Sequence, residues 1–359
     1  MLKEAPVRGP SAPRPLLARL DGDLRHLYPG YPALVMATGI ISNAFFFENW
    51  FGLSQVLLYV NLAAYPVLTL AFILRLARHS RLVWEDLTNP RLVFSFFTIV
   101  AASDVFGIQL DLRGYAGSAV ALWLFACVLW STLLYFSFAV LTFLKEAQDA
   151  NVVHGGWLIA IVGTQSLVLL GVRIAARIPA YAFGIDVAVH MLWGIGLALY
   201  AIFVTLFSYR IFFFRLAPED LSPLLWVVMG AAAISANAGT SLILADTDLG
   251  FLAESKPFID GVTMMIWAWA TWWIPLLVLF GVWKHVIKRV PLCYTPALWS
   301  LVFPLGMYSV STFRFSLATQ FPLLQQIGRD FVWIAAASWL GTMAAMVISN
   351  ARHFRESSR

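Results

Sequence analysis

The polar residues of this chain that could do chemistry lie inside long apolar stretches, and their spacing suits ion movement better than bond making. Phe303 is followed directly by Pro304, which removes an intrahelical hydrogen bond and kinks a helix. A bulky ring beside such a kink either closes a lumen by steric block and dewetting or packs in the core. Arg173 and Arg314 fall 16 and 15 residues after Trp157 and Trp299. At 1.5 Å per residue both lie about 23 Å beyond those tryptophans, at similar depth. Two guanidinium groups at one mouth would concentrate anions in a low-dielectric funnel, or they snorkel to the interface. Asp104 lies deep in an apolar stretch, where an unpaired carboxylate is costly. An arginine or amide partner is expected for it, and it is either a structural lock or a proton-coupling site.

Enzymatic motifs are missing. There is no HExxH, no GxGD protease pair and no Cys/His cluster, so neither catalysis nor a metal or other cofactor is expected. Lys145, Lys256, Lys284 and Lys288 sit near the ends of apolar stretches, which excludes a buried Schiff-base lysine. Asp186 and His190, four apart, read as a local pair on one helix face. Cys127 and Cys293 read as core thiols.

The elements that position these residues are apolar runs long enough to cross about 30 Å of hydrocarbon. Of 359 residues, 60% are hydrophobic and 12% charged, against about 25% charged in a soluble domain. Long runs without alternation exclude a barrel and leave an all-α polytopic membrane protein. Ten transmembrane helices in five hairpins are predicted, at 30–47, 53–77, 91–110, 115–144, 153–174, 183–214, 223–244, 257–284, 295–318 and 325–350. Tails at 1–28 and 351–359 flank a transport domain at 29–350. The first 28 residues are polar and basic, with no apolar stretch of signal-peptide length. The N-tail, the C-tail and the connections after even helices hold 18 of 24 Lys/Arg. Both termini are therefore predicted to be cytoplasmic, in a bacterial inner (plasma) membrane. The dispersed charge of +5 gives no reason to expect nucleic acid as a partner.

Odd and even helices differ in kind. Ten of 15 tryptophans fall in helices 4, 6, 8 and 10, where large aromatic rings suit a lipid-facing surface. The odd helices carry small and weakly polar residues: Thr38, Gly39 and Ser42; Thr98 to Asp104; Thr164 and Gln165; Gly230, Ser235 and Asn237; Gly306 and Ser309. Small residues also serve close packing, but five such helices in strict alternation suggest an inner pore ring with these residues lining it. Trp157, Trp226 and Trp299 each open an odd helix at spacings of one hairpin, a parallel repeat. Four residues after them come Ile161, Gly230 and Phe303.

These segments resemble the tellurite-resistance/dicarboxylate transporter family, whose relatives include plant slow anion channels and yeast malate and sulfite carriers. The resemblance rests on Pro29 to Ile40, Gly163 to Ser166, Met229 to Ser235 and, most sharply, Trp299 to Tyr308. It implies ten helices in five hairpins around a central pore, an occluding aromatic residue at Phe303, and homotrimers with one pore per subunit. It further implies passage of small anions across the bilayer, or proton-coupled carriage of C4-dicarboxylate, sulfite or tellurite-related anions. After the proline, Leu305-Gly306-Met307 departs from the more polar channel-type run.

Overall fold

The computed structural model describes residues 16–144, 152–245 and 250–356, with backbone alone at 16–19, 353–354 and 356. Lys3, Arg8, Arg14, Lys145 and Arg359 of the charge count lie outside the described residues, as do 1–15 of the N-tail and 357–359 of the C-tail. Among the described residues every regular element is helical. In chain order they are α1 (Leu16–Arg25), α2 (Ala33–Phe47), α3 (Phe51–Arg78), α4 (Ser80–Leu87), α5 (Phe97–Asp111), α6 (Ala116–Phe143) and α7 (Ile159–Arg177). Then follow α8 (Ala182–Phe213), α9 (Val227–Leu244), α10 (Gly250–Glu254), α11 (Lys256–Val282), α12 (Trp299–Thr319) and α13 (Pro322–Glu356). The ten predicted helices correspond to α2, α3, α5 to α9 and α11 to α13, with ends that differ by up to six residues. The short α1, α4 and α10 were not anticipated.

Eight helical stretches are long and apolar enough to cross a membrane. Of the other two long elements, α2 is shorter, at 15 residues. Helix α12 has 21 residues but is diluted by Ser, Thr and Gly.

Two layers follow from packing. Helix α2 packs on α5, α5 on α7, α7 on α9, α9 on α12, and α12 returns to α2, closing a five-membered ring. Helices α3, α6, α8, α11 and α13 each pack outside their hairpin partner. Burial separates the layers: 89% to 94% of the apolar stretch is buried in α5, α7 and α9, against 17% to 39% in the five outer helices. A single 3-10 turn leads into α5, α7, α9 and α12. Pro223 and Pro296 begin two of these turns, where a missing N–H costs nothing. His154 accepts the Gly156 N–H to cap another.

Three expectations need correction. Cys293 is exposed in the loop before α12, and Cys127 on α6 is only partly buried. The ring of His190 bonds to the backbone oxygen of Asp186 at 2.7 Å, one turn back, and the two side chains feel each other's charge without a direct hydrogen bond or close ion pair among the described residues. The outer tryptophans divide: Trp269, Trp272 and Trp333 are exposed, whereas Trp123, Trp193 and Trp273 are buried. An indole N–H needs a partner once it leaves water, and the inner ring supplies it for Trp123 and Trp193.

Candidate functional site

The closed ring sets the scale of whatever lies on its axis. Packed helices stand roughly 9 Å apart, which puts five ring axes about 8 Å from the centre. A helix half-diameter of about 5–6 Å then leaves a bore of only about 2–3 Å radius. One aromatic side chain fills it.

The face that each helix turns to this axis follows from its contacts. On α12, Pro304 abuts Gly230 of α9, where an added Cβ would stand 2.7 Å from Pro304 Cγ. Gly306 faces α2, where an added Cβ would stand 2.8 Å from Ile40. Tyr308 bonds Thr271 (2.9 Å) and Thr312 accepts from Trp267 Nε1 (3.0 Å), both on α11. Ser309 donates to the Gly328 carbonyl of α13 at 2.8 Å. At about 100° per residue, the arc between the α9 and α2 contacts belongs to Phe303, Met307, Val310 and Arg314. Phe303 is 2% exposed. On α2 the same reasoning leaves Met36, Asn43 and Phe47 toward the axis.

Most of the polar residues singled out by sequence turn sideways, into seams between helices. Thr38 accepts Trp339 Nε1 of α13 at 2.9 Å. Thr164 accepts Trp130 Nε1 of α6 at 2.8 Å. The Ser235 carbonyl accepts Trp193 Nε1 of α8 at 3.1 Å, while its hydroxyl turns back to Ala231. With Trp267 to Thr312, and Tyr65 to Ser103 at 2.8 Å, one staple recurs five times. Each time an outer helix reaches the ring helix of the next hairpin, and α13 reaches round to the first. Ser42 bonds Ser54 of α3, Gln165 donates to the Trp193 carbonyl, and a Cβ on Gly39 would meet Val105 and Asn61.

The two ends of the ring differ. At the N-terminal ends of its helices lies a cavity of about 550 Å3, lined by residues that precede all five: Tyr28, Arg91, His154, Asp220 and Thr295, with Arg210 beside them. Burial pulls the His154 imidazole down to about 4, against the opposing effect of its bond to the Arg91 carbonyl, so it is neutral at pH 7. Burial pushes the Asp220 carboxyl up, but the Ala217 N–H and Arg210 at 2.7 Å outweigh it and hold the group below its usual value. Five helix N-termini at this end favour anions.

At the opposite end five C-termini converge, an unfavourable field for an anion, and four arginines gather against it: Arg113, Arg173, Arg177 and Arg314. Asp111, 1% exposed, accepts Arg173 Nε at 2.6 Å and Arg177 Nε at 2.8 Å. Arg314 NH1 instead donates to Asn237 Oδ1 (3.1 Å) and Ser241 Oγ (2.7 Å), and forms no ion pair among the described residues. Asn237 Nδ2 in turn meets Met307 Sδ at 3.6 Å. Asp104 Oδ2 accepts the Ser166 hydroxyl at 2.6 Å, while Oδ1 has no partner. The expected arginine or amide at Asp104 is not there, because Arg173 and Arg177 serve Asp111, two turns further along α5.

Sequence reasoning missed Asp111, Asn43 and the indole staples. Asp111 stands seven residues after Asp104, on the same helix face, and that spacing was a usable signal.

Residues 26–347 match the SLAC1 family, described as voltage-dependent anion channel. The chain is 42% identical over 139 residues to an uncharacterized membrane protein of Mycobacterium tuberculosis strain H37Rv, covering 38% of this chain and 70% of that protein. It is 22% identical over 320 residues to an uncharacterized transporter of Methanocaldococcus jannaschii, covering 87% of this chain and 91% of that one. Built around a closed ring of small-residue helices and matched over nearly its whole length, this chain belongs to the SLAC1 anion channel family of membrane transport proteins and is not an enzyme.

Proposed function

We propose that the five-helix ring carries small anions across the bilayer along its axis, and that Phe303 obstructs the path. The observation that carries this reading is the position of Phe303 on the arc of α12 between its contacts to α9 and α2, in a bore that one ring fills. Pro304 fixes the local bend and seats against Gly230. All ten long helices span the membrane in this reading, with α2 and α12 tolerated because the outer layer shields them. Both termini are cytoplasmic, as the bias of 18 Lys/Arg to 6 supports. The cavity at the N-terminal ends of the ring helices is then the inner mouth and the arginine cluster the outer one, where Arg173 and Arg314 attract anions. Gly230 and Gly306 let the ring close tightly. Thr38, Gly39, Ser42, Thr164, Gln165, Ser235, Asn237 and Ser309 bound the path from its seams. The exposed outer helices provide the surface for a homotrimer.

The test is anion flux into proteoliposomes for wild type and Phe303→Ala, with chloride, nitrate and a C4-dicarboxylate. The alanine variant is expected to pass small anions at least about tenfold faster, a barrier change of about 1.4 kcal/mol. Unchanged flux in a folded variant would discard the obstruction. The free oxygen of Asp104 favours one second reading, a proton-coupled carrier. Its signature is saturable flux whose pH dependence disappears in Asp104→Asn.

A further inference from the structure

We propose that Arg314 and Asn43 form a discrete binding site for one small monovalent oxyanion near the far mouth of the ring. The inference rests on the reading that the ring axis is the anion path, and deepens it by giving one step of that path a chemistry.

Arg173 and Arg314 stand at similar depth but are in different electrostatic states. Arg173 shares a short ion pair with Asp111, which also serves Arg177. Arg314 is close enough to Arg173 for the two charges to repel, and no carboxylate answers it among the described residues. Its support is neutral: an amide oxygen, a hydroxyl, and the ring of Phe47 with its centroid 5.7 Å from the guanidinium carbon. The two NH1 hydrogens are used by Asn237 and Ser241. Among the described residues Nε and NH2 carry no hydrogen bond, and together they make the edge of a guanidinium that matches two oxygens of a planar anion.

Asn43 supplies the second, independent observation. It is 1% exposed, and neither its amide nitrogen nor its amide oxygen has a partner among the described residues. Buried amides are normally satisfied, and an orphaned one calls for a reason. Asn43 stands one turn before Phe47 on the same face of α2, and because helical side chains lean toward the N-terminus, the Phe47 ring that Arg314 covers leans back over the turn that carries Asn43. A bound anion would accept from Asn43 Nδ2 while the guanidinium edge holds it from above. Phe47 and Met307 form the apolar sides. A bore that one aromatic ring fills selects a small size, and a single free guanidinium edge selects a single planar group. A planar oxyanion such as nitrate or formate fits the fork better than chloride, and the one fork at Arg314 takes only one carboxylate of a C4-dicarboxylate.

Thermal unfolding of the purified protein in detergent, followed with increasing nitrate, formate or chloride at constant ionic strength, tests the site without transport. Wild type should gain several degrees with nitrate or formate and less with chloride. Arg314→Lys keeps the charge but loses the fork, and should lose the preference for oxyanions. Asn43→Leu removes an unsatisfied amide, so it should unfold at a higher temperature than wild type without ligand and respond weakly to nitrate. Equal responses to nitrate in wild type and both variants would overturn the proposal, as would no oxyanion preference in wild type. Proteoliposome flux of Phe303→Ala separates this result from the broader reading. A faster Phe303→Ala variant with no oxyanion preference refutes the site and leaves the path intact. An unchanged one alongside an intact preference refutes the path and, with it, the assignment of the site to conduction.

Discussion

Replacing Asp111 by asparagine should weaken the fold and strengthen the far mouth at once. The wild-type carboxylate is 1% exposed and gives one oxygen to each of Arg173 and Arg177. Asparagine keeps one acceptor and turns an amide N–H toward the other guanidinium. Hydrogen bonds to charged groups contribute about 1.5–3 kcal/mol each, but Arg173 is 29% and Arg177 47% exposed, so both rehydrate in part and the Arg177 share shrinks most. Relief of the buried carboxylate's desolvation offsets more. A net loss of about 2 kcal/mol is expected. The mouth meanwhile gains one positive charge. At about 8 Å from the axis one charge acts on an anion with about 2 kcal/mol at an effective dielectric of ~20, and about 0.5 kcal/mol in water. Anion occupancy should rise between about twofold and thirtyfold near 10 mM salt, and much less at 150 mM, where the screening length falls to about 8 Å. Nitrate flux into proteoliposomes at the two ionic strengths reads this directly. Flux that falls, or that shows no salt-dependent gain while the variant remains folded, would mean that this mouth is not on the path.

Three further outcomes are expected. Trp130→Phe and Thr164→Val, in a double-mutant cycle of unfolding in detergent, should show a coupling of about 0.6–1.7 kcal/mol, the size of an interhelical hydrogen bond in membranes; near-zero coupling would make the staple ornamental. Gly230→Ala should destabilise by about 1–3 kcal/mol, because its Cβ would stand 2.7 Å from Pro304 Cγ; a neutral effect in calorimetry would mean that α9 and α12 separate freely. His154 titrates at about 4 in the folded chain and about 6.5 unfolded. The unfolded state thus binds more protons between those values, and the contribution of His154 to stability, full above about pH 6.5, is lost as pH falls toward 4. A His154→Gln variant should show a shallower decline of melting temperature across that window.

Sequence revealed which helices are inside but not which of their faces look inward. Bulk largely divides the layers: helices rich in Gly, Ala and Ser along their length can approach one another closely enough to close a small ring, and helices with tryptophans along their length cannot. That difference is a property of each segment and is legible locally. The direction of a hydroxyl is not. Thr38 turns to α13 because Trp339, 301 residues later, brings an indole N–H that lipid cannot satisfy. Nothing near Thr38 in the chain announces this. The same holds for Asp104, whose expected arginines were present in the sequence but lie two helical turns too far along, where Asp111 takes them. The signal at Phe303 is local: one large ring in a register otherwise occupied by Ile161 and Gly230, with a proline beside it.

The return contact from α13 and α12 to α2 has a consequence for how the chain comes into being. A nascent chain inserts from its N terminus, so the first hairpin must wait in the bilayer with Thr38 and the α2 edge uncovered until the last helices emerge. Four hairpins make an open arc, and only the fifth turns it into a wall. Assembly is therefore completed at a single joint, between the earliest and the latest parts to be synthesised, and lipid must be expelled from the interior at that moment. Defects at this joint should produce molecules that are inserted, helical and leaky to lipid rather than selectively permeable.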